Sequence, residues 1–155
     1  MAHTYHATIK WQRGDADFAR GKYMRAHTWA FDEGLEVPAS ASPGVVPPQF
    51  VREDAVDPEE VLVAAVSSCH MLTFLDLARR AGVVIDSYED AAEGELEKNE
   101  EGRHWVSKIT LRPRIVYVGD PPDAATLQDL NHRAHDLCFI ANSVRSEIVV
   151  EPRED

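Results

Sequence analysis

The chain of 155 residues contains two cysteines, Cys69 and Cys138, and both lie among apolar neighbours. Each has a histidine close by, because His70 follows Cys69 directly and His135 precedes Cys138 by three residues. These residue types allow three roles. The cysteines could be small core residues, because a free cysteine is often fully buried and packs like a hydrophobic side chain. They could also bind a metal ion or form a redox pair.

A metal site would use two thiolates and two imidazoles, which is a complete tetrahedral set of zinc ligands. His135 and Cys138 are three residues apart and would share one face of a helix. Cys69 and His70 are adjacent, so on a helix their side chains diverge by about 100°. This divergence is unfavourable for binding a single ion, but the zinc hypothesis stays open.

A redox site would need one cysteine that is ionised near neutral pH and a second cysteine within bonding distance. Burial raises the pKa of a thiol, so a cation would have to stabilise the thiolate of Cys69. Arginine suits this role because its guanidinium stays charged when it is buried. Composition alone leaves open which arginine this is, and which of the three roles the cysteines have.

Each cysteine lies on or directly after a predicted helix. The segment DPEE (57–60) has the residues of a helix start, with an N-cap aspartate, a first-turn proline and the glutamate of a capping box. Apolar residues then lie on nearly all sides up to Gly82, which predicts a long, central, buried helix. A second helix is predicted within 121–137. Its apolar residues follow at spacings of three and four: Leu127, Leu130, Ala134, Leu137 and Ala141.

The N-terminal third of the chain is predicted to contain two strands and a loop. Apolar side chains alternate along 4–11, which indicates a strand with one buried face. Residues 25–32 are a second strand candidate. Residues 38–48 contain four prolines, which cannot donate ladder hydrogen bonds, and are expected to form a loop.

The C-terminal half is predicted to contain a β-hairpin, formed by 83–97 and 103–118, and a last strand at 146–152. Four residues of the second hairpin strand are expected to share one side: Trp105, Ser107, Ile109 and Leu111. The order of elements favours an α+β fold with helices packed on an antiparallel sheet. The length favours one domain, 1–155.

The composition argues against several classes of partner. Asp and Glu number 27 against 16 Lys and Arg, for a net charge of −11, which disfavours nucleic acids and anionic membrane surfaces. No run approaches 18 apolar residues, so we expect no membrane-spanning segment. The N-terminus lacks the basic and apolar regions of a signal peptide. We therefore expect a cytoplasmic protein, in which a disulfide would be transient.

The stretches around the cysteines resemble the OsmC/Ohr family, the osmotically inducible and organic hydroperoxide resistance proteins. DPEEVLVAAVSSCHM (57–71) is similar to the family's NPEQLFAAGYxACF, with the same ten-residue step from glutamate to cysteine. AHDLCFIANSVR (134–145) is similar to AHEVCPYSNATR, and RAHTWAFDEG (25–34) is more weakly similar to GGRDGxAVSSDG. The chain departs from the family pattern at positions 66–68, 70–71 and 139–140.

This resemblance implies an OsmC-like fold, in which antiparallel sheets pack around a long central helix of an intertwined homodimer. It also implies thiol-dependent reduction of organic hydroperoxides, with Cys69 as the peroxidatic cysteine and Cys138 as the resolving cysteine. Arg25 matches the arginine that pairs with the peroxidatic sulfur, and Arg20 is the alternative. Glu59 matches the family's carboxylate and is expected to hold the guanidinium. The implied reductant is an external dithiol, for which a lipoyl-type dithiol serves in related proteins, and no cofactor or metal is implied.

The predicted first helix has a consequence for this assignment. Glu59 and Cys69 are ten residues apart, or about 15 Å along a continuous helix. If Glu59 and Arg25 serve a Cys69, we expect it to be the partner subunit's, with two sites at a two-fold interface. The alternatives are a non-catalytic ligand-binding or scaffold dimer of the same fold, and a zinc-binding Cys/His protein.

Overall fold

The computed structural model describes residues 2–153 and has an α+β fold, as the sequence predicts. Met1, Glu154 and Asp155, which belong to the predicted single domain, lie outside the described residues. The chain divides into two compact units, Met1–Val61 and Leu62–Asp155. Each unit is described separately below.

The N-terminal unit contains a three-stranded antiparallel sheet in the order β1-β2-β3. Its strands are β1 (Ala7–Lys10), β2 (His27–Phe31) and β3 (Glu36–Ala39). The first two confirm the predicted strands with shorter bounds. The third was expected to be loop from residue 38 onwards, but Pro38 pairs with Thr28 in this strand. A proline is tolerated there because β3 is an edge strand of the sheet.

The apolar side chains of the first strand region lie at the surface of the described chain. Ile9 is 58% exposed and Trp11 is 40% exposed, so the predicted buried face is not buried within one chain. Trp11 contacts the rings of Phe18 and Tyr23, with centroid distances of 5.8 and 5.5 Å. These contacts form an aromatic cluster that remains partly open to solvent.

The first helix, α1 (Pro58–Arg80), begins with the predicted capping box. The Glu60 backbone N–H donates to Asp57 Oδ1 at 2.8 Å, and Glu60 Oε2 accepts from the Asp57 backbone N–H at 3.3 Å. The helix ends before Gly82, which has a positive φ of 78°. The Val83 N–H then donates to the Ala78 carbonyl at 2.9 Å, a bond typical of a glycine-terminated helix.

Within one chain, α1 buries a single stripe rather than its whole circumference. Its buried residues are Val66, His70, Phe74, Leu77 and Ala78. Leu72, on another side, is 62% exposed, so the prediction of a helix buried nearly all round is wrong for the isolated chain. By length and composition alone α1 is also apolar enough to cross a membrane, with a mean hydropathy of 1.7. This differs from the expectation based on uninterrupted apolar runs, although core helices of globular proteins meet the same criterion.

The second helix, α2 (Ala124–Leu137), is capped by Asp123, whose Oδ1 accepts from the Thr126 backbone N–H at 2.7 Å. The helix confirms the predicted element but ends just before Cys138, which has an extended backbone with φ −70° and ψ 113°. Leu137 is 54% exposed, so it does not belong to the buried seam. The second cysteine therefore lies on the turn after the helix.

The C-terminal unit has two sheets. Its strands are β4 (Ile85–Asp90), β5 (Glu93–Lys98), β6 (His104–Leu111), β7 (Pro113–Tyr117) and β8 (Glu147–Val150). One sheet pairs β4 with β7, and the other has the order β5-β6-β8. The hairpin is confirmed for β5 and β6, but each predicted long strand is broken into two. The last strand runs parallel to β6, so the all-antiparallel prediction is wrong there.

Asp90 links the two points at which the predicted long strands are interrupted. Its carboxylate accepts a hydrogen bond from the Arg112 backbone N–H at 2.6 Å, and Arg112 is the residue between β6 and β7. The Ser67 hydroxyl of α1 donates to the same carboxylate at 2.5 Å. Both predicted strands therefore change sheets at this corner, which the alternation of apolar residues did not indicate.

A β-bulge changes which side chains of β6 face the core. Glu95 pairs with Lys108, but the next residue, Leu96, pairs with Val106. The extra residue shifts the alternation. Val106 packs with the buried cluster that contains Ile109 and Leu111, whereas Trp105 lies 5.9 Å from the Arg145 guanidinium. The predicted shared side of Trp105 and Ile109 is therefore wrong.

Replacement of Asp57 by alanine tests the capping box. We expect Asp57→Ala to lower the free energy of unfolding by about 1 kcal/mol, because the Glu60 backbone N–H loses its acceptor, the Asp57 carboxylate. Asp57→Asn is the matched control, since asparagine caps helices as well as aspartate does. Urea denaturation followed by circular dichroism measures both. Equal loss of stability in the two variants would contradict the role of the cap.

Candidate functional site

The C-terminal unit contains two apolar clusters, and both involve α1. The first is formed by α1, α2 and the β4-β7 sheet, with Phe74, Leu130 and Ala134 among its buried residues. The second is formed by α1 and the β5-β6-β8 sheet, around Val66 and Ile109. Along α1, Cys69 lies between the residues of the two clusters. Cys138 likewise follows the first cluster's last α2 residue and precedes Ile140 of the second cluster.

The structure brings the two cysteines together. Cys69 is partly exposed and Cys138 is buried, and both thiols are free. The pKa of Cys138 is raised chiefly by burial and then by the neighbouring Cys69 side chain, through hydrogen bonding and charge. This interaction requires adjacent sulfur groups. Two residues 69 positions apart in sequence are therefore placed as a dithiol pair.

The turn after α2 fixes the Cys138 side chain. The Ala141 backbone N–H donates to the Cys138 sulfur at 3.3 Å, and this donor lowers the thiol pKa in opposition to burial. The Asn142 side chain closes the turn by donating to the carbonyls of Asp136 and Cys138, at 2.8 and 3.0 Å. These contacts depend on the conformation of the turn, which the spacing of residues alone does not give.

Arg25 lies in the N-terminal unit and is partly buried. Its Nη1 donates to the carbonyls of Gly21 and Tyr23, and its guanidinium lies 3.8 Å from the Tyr23 ring centroid. The Phe50 ring is 5.4 Å away. Within residues 2–153 the other guanidinium nitrogens have no hydrogen-bond partner, so Arg25 has N–H groups available for an anion.

Two aromatic residues of β2 order the backbone of Arg25. Trp29 Nε1 donates to His27 Nε2 at 2.8 Å, which leaves the proton of the His27 ring on Nδ1. That nitrogen donates to the Arg25 carbonyl at 2.7 Å. His27 and Trp29 share one side of a strand, a spacing that the sequence displays but that had not been connected with Arg25.

Arg20 and Glu59 do not make the contacts that their expected roles require. Arg20 is exposed and forms an ion pair with Asp17 at 3.6 Å. Glu59 is partly exposed, and no ion pair joins it to Arg25 in the described part of the chain. The expected pairing of Glu59 with the guanidinium is therefore not formed within one chain.

His70 is buried and its partner is Asn131 of α2. His70 Nε2 lies 3.2 Å from Asn131 Oδ1, and Asn131 Nδ2 donates to the Leu127 carbonyl at 3.0 Å. Burial lowers the pKa of His70, while the hydrogen bond to Asn131 and the charge of Asp90 oppose this shift. His70 is therefore favoured in its neutral form. The residue pattern had indicated only a possible metal-ligand role for His70.

The ligand arrangement that the zinc hypothesis needs is missing from residues 2–153. No group of three or more His, Cys, Asp or Glu side chains there could hold a metal ion. His70 bonds to Asn131, and the buried Nδ1 of His135 has no hydrogen-bond partner among these residues. The two histidines thus do not join the cysteines in one ligand set.

A groove of about 1150 Å³ lies in the C-terminal unit between α2 and strands β7 and β8. Its lining includes Ile115, Leu127, His135 and Ile148, and it includes neither cysteine. The dithiol pair therefore lies outside this groove.

The fold and the dithiol pair agree with one protein family. A family model described as OsmC-like protein matches residues 51–153, which is about two thirds of the chain and includes both cysteines. The chain belongs to the OsmC-like protein family.

Two relatives match roughly two thirds of the chain in sequence. The chain is 25% identical to peroxiredoxin OsmC of Escherichia coli over 103 residues, which cover 66% of this chain and 70% of that protein. It is 23% identical to the uncharacterized protein YmaD of Bacillus subtilis over 100 residues, which cover 63% and 66%.

Solved structures match the whole fold. An OsmC-like protein of unknown function from Vibrio cholerae has a TM-score of 0.94 and 46% identity, over 98% of this chain and 100% of that chain. The organic hydroperoxide resistance protein OhrB of Bacillus subtilis has a TM-score of 0.71 and 19% identity, over 97% of this chain and 98% of that chain. This second likeness shows the fold alone.

The two thiols should differ strongly in reactivity. In native reduced protein at pH 8, we expect iodoacetamide to modify Cys69 at least tenfold faster than Cys138, because Cys138 is buried and its pKa is raised. The Cys138 rate should continue to rise with pH above about 8.5, where an ordinary thiol begins to level off. Peptide mass mapping measures both rates.

Alkylation in 6 M urea is the control, in which the two rates should converge. A native Cys138 that reacts as fast as Cys69 would contradict the difference in burial.

Proposed function

We propose that this protein is a thiol-dependent peroxidase that reduces organic hydroperoxides to alcohols, using Cys69 and Cys138. The observation that carries the proposal is the pairing of a partly exposed thiol with a buried one on the turn after α2. Membership of the OsmC-like family supports it at a coarser level, since one relative is named a peroxiredoxin. We expect the reaction in the cytoplasm, where reduced dithiols are available.

The difference in exposure assigns the two roles. A peroxide must reach the attacking sulfur, and Cys69 is the exposed one of the two. The Cys69 thiolate attacks the terminal peroxide oxygen, the O–O bond breaks, and the alkoxide leaves and takes up a proton to give the alcohol. Cys69 is thereby oxidised to a sulfenic acid.

The second step uses the adjacent thiol. The Cys138 sulfur attacks the sulfenic acid, the S–O bond breaks, and water leaves as the Cys69–Cys138 disulfide forms. The raised pKa of Cys138 keeps this thiol protonated, so it does not compete for the peroxide. An external dithiol, such as a lipoyl-type dithiol, then restores both thiols by exchange and is itself oxidised to a disulfide.

Arg25 and Glu59 are proposed to complete the site in a homodimer. The free guanidinium N–H groups of Arg25 support a role in stabilising the Cys69 thiolate. Since α1 is continuous between Glu59 and Cys69, we assign Arg25 and Glu59 to the Cys69 of the partner subunit. Arg20 is a weaker candidate because it is exposed and paired with Asp17.

Intact mass after oxidation tests the proposed function. One equivalent of cumene hydroperoxide should lower the mass of the reduced protein by about two hydrogens, because a disulfide forms. The Cys138→Ser variant should instead accumulate a Cys69 sulfenic acid, which dimedone traps.

The Cys69→Ser variant is the control and should show neither product. A native protein whose mass stays unchanged under these conditions would contradict the peroxidase and favour a non-catalytic ligand-binding or scaffold dimer.

A further inference from the structure

The buried His70–Asn131 hydrogen bond is a feature that the proposed catalytic steps do not use. His70 follows Cys69 directly on α1, and Asn131 lies seven residues before Cys138 on α2. The bond therefore joins the two helices one residue after Cys69 and about two helical turns before Cys138.

The direction of this bond can be assigned from its neighbours. The Leu127 carbonyl can only accept, so Asn131 must direct its Nδ2 donor towards Leu127 and its Oδ1 acceptor towards His70. His70 must then carry its proton on Nε2 and donate it. Both side chains are buried, with exposures of 1% and 7%, so water competes little for this bond.

This bond supplies something that the surrounding apolar contacts lack. Phe74, Leu77 and Ala78 of α1 pack with Leu130 and Ala134 of α2, but hydrophobic contact is non-directional. Such contact restricts how the helices pack, but it selects one rotation and axial register less sharply than a directional bond does. Within residues 2–153, the His70–Asn131 bond is the only hydrogen bond between the two helices. A buried, directional bond of this kind can set a unique register.

We propose that His70 is a positioning residue, whose hydrogen bond to Asn131 fixes α1 against α2 so that Cys69 stays within bonding reach of Cys138. This inference deepens the proposed function and rests on its use of a Cys69–Cys138 disulfide. His70 does not touch the reacting atoms in this account. It acts by raising the effective concentration of one thiol at the other.

The equilibrium between dithiol and disulfide measures this effective concentration without any peroxide. Protein is equilibrated with graded mixtures of reduced and oxidised dithiothreitol at pH 7, quenched with acid, and the disulfide fraction is read by intact mass. We expect His70→Leu to reduce the equilibrium constant for the Cys69–Cys138 disulfide at least tenfold. This change corresponds to a shift of about 30 mV in the potential.

Rescue by a conservative variant separates positioning from packing. His70→Gln keeps an amide donor within reach of Asn131 and should stay within about threefold of the native constant. His70→Asn has the same amide on a side chain one methylene shorter and should behave like His70→Leu. If His70→Leu does not fold, the Gln and Asn pair decides alone.

A native constant in both His70→Leu and His70→Asn would overturn the proposal. An equilibrium constant for His70→Gln as low as that for His70→Asn would also overturn it.

A second readout distinguishes failure of this inference from failure of the proposed function. In a Cys138→Ser background, His70→Leu should leave the rate of Cys69 sulfenic acid formation with cumene hydroperoxide within twofold, because only the second step needs alignment. A comparable loss in that rate would overturn the positioning role. Absence of any sulfenic acid in Cys138→Ser itself would instead refute the peroxidase, while the dithiothreitol equilibrium would still test the alignment.

Discussion

The contact between two sulfur groups on separate elements is the constraint on which the rest of the structure depends. Cys69 lies on α1, whereas Cys138 lies on the turn that follows α2. Bringing them together requires that α1 and α2 pack at one register and that the turn holds its own conformation. The first apolar cluster packs α1 against α2, and the second packs α1 and Ile140 against the β5-β6-β8 sheet. The Ala141 and Asn142 hydrogen bonds hold the turn.

The two thiols have different environments, and this difference determines which of them is expected to react first. Burial and the neighbouring thiol raise the pKa of Cys138, while a single backbone N–H donor partly offsets this effect. Cys69 remains partly exposed and is accessible to a small substrate. A disulfide-forming reaction needs one thiol that the substrate reaches and a neighbouring thiol that stays protonated.

Residue patterns predicted the local elements well where their signals are local. The capping box at Asp57 and the glycine end at Gly82 defined α1, because caps depend on a few adjacent residues. The breaks near Asp90 and Arg112 were missed, since they depend on a hydrogen bond between residues 22 positions apart. The bulge in β6 likewise reversed the expected side of Val106, and alternation alone cannot reveal such an insertion.

For the candidate site, too, the sequence indicated residue types but not their arrangement in space. The two cysteines could be selected by residue type and by resemblance, but their proximity follows from packing that no short pattern encodes. The bond between His70 and Asn131 spans 61 positions and involves a residue that sequence analysis had not singled out. The surroundings of Arg25 became clear only once Tyr23, His27 and Trp29 were placed around it.

Mixed isotopic labelling tests whether the two sulfurs meet within one chain. Unlabelled and ¹⁵N-labelled protein are unfolded, mixed and refolded together, then oxidised with cumene hydroperoxide and digested with pepsin at low pH. If the disulfide forms within one chain, linked Cys69 and Cys138 peptides will be both light or both heavy. Linked peptides that combine one light and one heavy partner, or no linked peptide at all, would contradict it.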